Sequence, residues 1–258
     1  MNIVIRERSA DVAILTLNRP DSLNALNSEL IDALLAELTA LAKDCSLRCL
    51  IVTGAGDKAF CAGADLKERL AMTPEQRTDH TRRINTIADA LAEFPVPVIA
   101  ALRGFVLAGG AELAVACDLR VMGADVQFGL PEVKIGVFPG AGATIRLPAI
   151  VGSGRARDLL FTGRRINAEE ALSIGLASRV VVPDEVLATS LAISQQISEG
   201  APLAIRALKD ALNSAAGLPS QDAARIVARL RVPLDATSDY TEGLRAFSER
   251  RPPHFTGK

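Results

Sequence analysis

The apolar positions of the chain follow two periods. Residues 2–8 and 12–17 are rich in Val, Ile and Leu and are separated by Ser9-Ala10-Asp11, a pattern that predicts a β-hairpin. Asn18-Arg19-Pro20-Asp21 reads as a turn. Asn27 or Ser28 can cap a helix running to about Lys43, because Leu30, Leu34, Leu38 and Leu41 recur at helical spacing behind them. Residues 47–53 form a continuous apolar run and predict a buried strand. A glycine-bearing loop over 54–58 then leads through Ala59–Asp65 into a helix, and a longer helix is predicted over 74–93, ended by Pro95 and Pro97. Residues 98–102 read as another strand. Strands alternating with helices in this way predict an α/β fold. From about residue 184 the strand signals vanish, and 184–199, 202–215, 220–231 and 238–250 all read as helices. The organisation expected is an α/β core over 1–200 followed by a helical region over 201–258. No fixed-period repeat is evident.

Composition narrows the function classes. The chain has 258 residues, 49% of them apolar and 23% charged, enough to bury a sizeable core and unlike a disordered chain. The 29 basic and 30 acidic residues nearly cancel, so no excess charge points to nucleic acid. Eight Phe, one Tyr and no Trp leave little material for stacking bases. Cys45, Cys49, Cys61 and Cys117 form no C-x-x-C pair, and His80 and His254 lie far from them in sequence; free thiols and no metal site are expected. The N-terminal residues show no signal-peptide pattern, and no apolar run approaches a membrane span. A soluble cytoplasmic protein is the expectation.

Three stretches carry candidate chemistry. In Gly104–Cys117, GFVLAGGAELAVAC, Glu112 is the only charged residue. Gly109 and Gly110 fall at the start of a helix, where backbone N–H groups lack partners and can hold an anion or a developing oxyanion. Glu112 in those apolar surroundings is expected to be partly desolvated, with a raised pKa; the plainer reading is a first-turn Glu that caps its own helix. In the second stretch, FGLPEVKIGVFPGAG, Glu132 again sits among apolar residues, the alternative being a surface Glu paired with Lys134. The third, Ala59–Asp65, is made of small residues able to expose backbone N–H groups, with Lys58, Lys67 and Arg69 nearby as candidate phosphate contacts. Phosphate-loop, dinucleotide, serine-hydrolase and zinc-protease motifs are absent.

In this order, Asn18-Arg19-Pro20 with Asn24-Ala25-Leu26, AFCAGADLKE (59–68), GFVLAGGAELAVACD (104–118), FGLPEVKIGVFPGAG (128–142) and EGLRAFSERRPPHF (242–255) resemble the crotonase superfamily, over nearly the whole chain. The resemblance implies a spiral of repeated ββα units with a C-terminal helical region that mediates trimerisation, in many relatives as dimers of trimers. It implies an acyl-coenzyme A thioester as substrate, with the CoA part of that substrate and no separate cofactor. Its carbonyl oxygen would sit between the backbone N–H groups of Ala62 and Gly109. Lys58, Ala59, Ala62, Gly63, Ala64, Asp65, Leu66 and Gly109 would contact the CoA thioester. The two glutamates of hydratase-type members are both present, as Glu112 and Glu132, and imply hydration of a 2-enoyl-CoA. Glu112 would act mainly on water and Glu132 mainly on the α-carbon proton. Isomerisation, dehydration or decarboxylation of another acyl-CoA on the same scaffold stays open, as does a non-catalytic or RNA-binding role. Ala108, Leu130, Ala143 and Ile145 depart from the usual family residues and bear on the shape of the acyl pocket.

Overall fold

The computed structural model describes residues 2–258. The chain opens with the antiparallel hairpin β1 (Val4–Ser9) and β2 (Val12–Leu17). Next comes α1 (Ser28–Leu41), whose Leu30, Ile31, Leu34, Leu38 and Leu41 are buried and whose Asn27 side chain accepts the Leu30 N–H as N-cap. Then follow β3 (Cys49–Gly54), β4 (Ala59–Cys61), α2 (Leu66–Leu70) and α3 (Pro74–Ala92). They are succeeded by β5 (Val98–Leu102), β6 (Phe105–Leu107) and α4 (Gly109–Ala116), and then by β7 (Leu119–Gly123), β8 (Gln127–Gly129) and α5 (Ala143–Val151). A 3-10 turn, Pro131–Ile135, lies between β8 and α5.

These elements build two sheets. The larger has the order β1-β2-β3-β5-β7 and ends on β10 (Arg179–Val181); the smaller is β4-β6-β8, ending on β9 (Arg165–Asn167). The chain therefore visits the large sheet, then the small sheet, then a helix, three times in succession. This is the ββα spiral that the resemblance implies. Its turns differ in length, with large-sheet strands starting at Cys49, Val98 and Leu119, so no fixed period can show in the sequence.

The central strands β3, β5 and β7 pair in parallel and are buried almost throughout, as parallel strands covered on both faces must be. One face packs on the main core with α1 and α3; on the other Ile51, Ile99 and Val121 meet Val186 of α8 (Val186–Ser198). Between α5 and α8 the chain forms α6 (Ser153–Thr162) and α7 (Ala168–Ser173). The edge strand β1 is exposed beyond Val4 and carries Arg6, Glu7 and Arg8, charges that discourage edge pairing.

The chain ends in α9 (Pro202–Ala215), α10 (Ser220–Arg231) and α11 (Ser238–Glu249). The buried Lys209 of α9 ties them to the core, donating to Asp118 Oδ2 at 2.7 Å and to the Val96 carbonyl at 3.1 Å. Among the described residues no helix is long and apolar enough to cross a membrane, and no group of three or more potential ligands could hold a metal ion. All four cysteines are free thiols.

Candidate active site

The site is built where the small sheet feeds its helices. β4 ends in Cys61 and the chain runs through Ala62, Gly63 and Ala64 before Asp65 caps α2, accepting the Lys67 and Glu68 N–H groups. β6 ends in Leu107, and α4 starts at Gly109. The two connections lie against each other with little side chain between them. A Cβ on Gly110 would stand 2.2 Å from the Cys61 carbonyl oxygen, so only glycine permits this approach. A Cβ on Gly63, at φ +96°, would stand 2.7 Å from Ala108 Cβ and 3.1 Å from the Gly109 nitrogen. Ala108 itself is held at φ 49° and ψ −125°, an unfavourable conformation for a residue with a Cβ, costing about 1–3 kcal/mol. That conformation belongs to the turn that starts α4, and it occurs at a position where the resemblance leads one to expect glycine.

The pair of N–H groups here differs from the expected one. The Ala62 N–H donates to the Leu23 carbonyl at 3.0 Å and is engaged in holding the loop. Gly63 turns the chain after it, and the Ala64 N–H has no acceptor among the described residues. Neither has the Gly109 N–H, at the first turn of α4. A Cβ on Gly109 would lie 3.7 Å from the Ala64 nitrogen, so the two unpartnered donors are neighbours. The free pair is Ala64 and Gly109, and Ala62 is corrected to a wall residue.

The surrounding loop is clamped from the N-terminal side. Asn24, fully buried, accepts the Arg19 N–H through Oδ1 and donates through Nδ2 to the Ala55 and Ala59 carbonyls at 3.0 and 2.8 Å. Leu26 accepts the Asp65 N–H and donates to the Gly63 carbonyl. Arg19 pairs with Asp65 Oδ2 at 3.0 Å. The Asn18–Leu26 segment thus fixes the Ala62–Asp65 backbone. Gly63→Ala is expected to push Ala64 away from Gly109 and lower turnover by about 100-fold, the usual weight of one oxyanion donor. Circular dichroism and steady-state kinetics on the folded variant check this; unaltered turnover would remove the pair from the chemistry.

Both glutamates open into one cavity of about 570 Å³, shared with Ala62, Ala64, Leu66 and Gly109. Glu112 does not cap its own helix. Its Oε1 reaches across to accept the Ala141 and Ala143 N–H groups at 2.7 and 3.2 Å. Burial pushes its carboxyl above the usual range, while those two donors and Arg146 oppose the rise. Glu132 lies on the 3-10 turn after β8 and is 8% exposed. Among the described residues it forms no ion pair with Lys134, and its Oε2 has no hydrogen-bond partner. Burial, with a smaller contribution from the Glu112 charge, pushes its carboxyl up to about 7. Two buried carboxylates in different environments are a means of separating an acid from a base. The plain surface and capping readings of both residues are therefore excluded by their geometry.

Other expected contacts fall elsewhere. Ala59 is buried in β4, where its carbonyl serves Asn24. Gly63 is buried behind the N–H pair, Asp65 caps α2, and Lys58 is exposed outside the cavity. Sequence reasoning missed Arg146, which donates to the Ala141 carbonyl at 3.1 Å and to Asp89 on α3 at 2.5 Å, holding the loop whose N–H groups hold Glu112. Only its position four residues beyond Gly142 hinted at that.

Unpartnered N–H donors beside two carboxylates, in a largely apolar cavity, define an enzyme that acts by acid–base chemistry on a carbonyl compound. Comparison with known proteins carries this further. Residues 7–258 match the family model described as Enoyl-CoA hydratase/isomerase, and the chain belongs to that family. It is 38% identical to the short-chain-enoyl-CoA hydratase of Clostridium acetobutylicum, covering 97% of this chain and 96% of that one. It is 39% identical to the crotonyl-CoA hydratase of Syntrophomonas wolfei, over 99% and 98%. The crystal structure of an enoyl-CoA hydratase from Bacillus anthracis superposes with a TM-score of 0.98 at 37% identity, covering 100% of both chains.

Proposed function

We propose that this protein is a 2-enoyl-CoA hydratase in which Ala64 and Gly109 hold the thioester oxygen and Glu112 and Glu132 move the protons. The observation that carries the reading is the meeting of both carboxylates and the N–H pair in one cavity. Adding water to a conjugated thioester places enolate-like charge on the carbonyl oxygen, and two pre-aimed N–H groups stabilise it without reorganising. Glu112, whose two backbone donors oppose the rise that burial causes, takes a proton from water as the water oxygen bonds to the β-carbon. Glu132, its carboxyl pushed up to about 7, supplies the proton that forms the new bond at the α-carbon. The net change is one water added, and proton exchange with solvent restores the two carboxyl groups.

The CoA thioester is the substrate, and the proposed reaction needs no other cofactor. Incubation with crotonyl-CoA is expected to abolish the ultraviolet absorbance of the conjugated thioester and to yield a 3-hydroxyacyl-CoA. Persistence of the conjugated thioester despite measurable binding would remove hydration as the reaction.

The helices over 201–258 support a second proposal, self-association as a trimer or a dimer of trimers. Leu208, Leu212, Val232, Leu244 and Phe247 are exposed on them, and α10 buries no residue against the rest of the chain. Five large apolar side chains left exposed on one helical region favour burial against another copy. Sedimentation velocity is expected to show a trimer or hexamer; a monomer at micromolar concentration would contradict this. The proposed compartment is the cytoplasm.

A further inference from the structure

The far end of α4, away from the cavity, holds a buried cation. Arg120, on β7, is 6% exposed. Its Nη1 donates to the Cys117 carbonyl at 2.7 Å and to the Ala114 carbonyl at 3.3 Å, and its Nε donates to the Leu176 carbonyl at 2.6 Å. Each of these acceptors is a neutral backbone oxygen, and Arg120 belongs to no ion pair among the described residues. The neighbouring carboxylate, Asp118, is paired instead with the buried Lys209. Those two charges offset each other, so Arg120 leaves a net positive charge at this end of the helix. Burial lowers its pKa, but an arginine stays protonated inside a protein. Neutral donors could satisfy the same carbonyls without the cost of desolvating a cation.

The position of the charge gives it a use. Ala114 and Cys117 close the helix that starts at Gly109, and Glu112 stands between them and that start. The eight residues of α4 span about 12 Å at ~1.5 Å per residue. Their aligned peptide dipoles put partial negative charge on the last carbonyls and partial positive charge on the first N–H groups. A guanidinium on the last carbonyls offsets the negative end, and the positive end then acts on the cavity with less opposition. Arg120 also ties α4 to the segment before β10. Its N–H donates to Ser178 Oγ at 3.2 Å, and its carbonyl accepts the Ser178 N–H at 2.8 Å.

We propose that Arg120 is a positioning residue for the reaction, one that anchors the far end of α4 and whose charge strengthens the pull of the Gly109 N–H on a thioester carbonyl. It touches neither the substrate nor the reacting atoms. The proposal rests on the reading of Ala64 and Gly109 as the pair that holds the carbonyl oxygen. One unit charge at about 12 to 15 Å, through an effective dielectric of about 20, changes the rate of a step that forms an oxyanion by about 3- to 10-fold.

The test uses a cinnamoyl-CoA carrying a para-dimethylamino group, whose absorbance moves to longer wavelength when electron density is drawn onto its carbonyl. The unaltered protein is expected to shift the bound probe to the red. Arg120→Gln keeps an N–H donor and removes the charge. It is expected to reduce the shift and to lower kcat for crotonyl-CoA by about 3- to 10-fold, while binding of butyryl-CoA changes little. Arg120→Lys keeps the charge and is expected to retain most of the shift and of kcat. Asp118→Asn can still accept the Val98 N–H but no longer offsets Lys209, so it is expected to deepen the shift. That variant decides the matter if Arg120→Gln does not fold. A red shift left unchanged by both Arg120→Gln and Asp118→Asn would overturn the proposal and leave the Ala64 and Gly109 pair in place. Equal losses in Arg120→Gln and Arg120→Lys would also overturn it, because Arg120 would then be a packing tie whose charge is idle. A bound probe that shows no red shift in the unaltered protein would overturn the proposal and the N–H pair together.

Discussion

Replacing Glu112 by Gln is expected to lower kcat by about 100- to 10,000-fold, the range for a positioned general base. The variant is informative because of how Glu112 is held. Its Oε1 accepts the Ala141 and Ala143 N–H groups, and a glutamine carbonyl can accept the same two bonds. The loop over 140–143, braced by Arg146 and Asp89, should then stay in place. What disappears is the basic oxygen. Binding of a saturated acyl-CoA should change little, so the loss falls in turnover. Turnover close to that of the unaltered enzyme would take Glu112 out of the reaction, and a purely binding role for the protein would survive the change.

Glu132→Gln is expected to cost at least ~100-fold in turnover, and here pH gives a second reading. The Glu132 carboxyl is pushed up to about 7, chiefly by burial. A group that must deliver a proton is active in its protonated form, so kcat/KM is expected to fall as pH rises through about 7. That limb should be missing from the residual activity of Glu132→Gln. Stability follows with its own sign. A carboxyl whose folded pKa lies above its unfolded value contributes stability that is present below the unfolded pKa and lost as pH rises through about 7. At about pH 8 the parent therefore carries a buried charge that the variant lacks, and Glu132→Gln should be the more stable by about 2 to 3 kcal/mol. The gap in Tm should narrow toward about pH 5. A variant no more stable than the parent at high pH would contradict the burial of that charge.

What could be read from the sequence depended on element length. The helix whose stripe of leucines starts at Leu30 and the terminal helices over 202–215 and 220–231 fall where periodicity puts them, because each repeats its pattern over at least three turns. β4, β6, β8 and β9 are three residues each, too short for any period, and the whole second sheet was invisible for that reason. The two glutamates stood out as lone charges in apolar surroundings, and the structure brings them to one cavity.

The backbone donors were harder to place. Ala62 and Ala64 are the same residue type on either side of Gly63, and nothing in their side chains says which N–H is free. The answer lies in a distant partner, Leu23, which occupies the Ala62 N–H, and in the positive φ of Gly63. Asp65 did leave a signal. An Asp followed three residues later by Glu68, at the start of a helix, is a capping pattern, and Asp65 is indeed the N-cap of α2.

The most direct test of the account is isotopic. Crotonyl-CoA is incubated with the protein in heavy-oxygen water and, separately, in deuterium oxide, and the products are analysed by mass spectrometry. The account predicts one solvent oxygen on the β-carbon and one solvent hydrogen on the α-carbon of a hydroxyacyl thioester, both lost in the Glu112→Gln and Glu132→Gln variants. Solvent hydrogen entering the acyl chain without solvent oxygen would contradict it, and would mark the site as one that shifts protons without adding water.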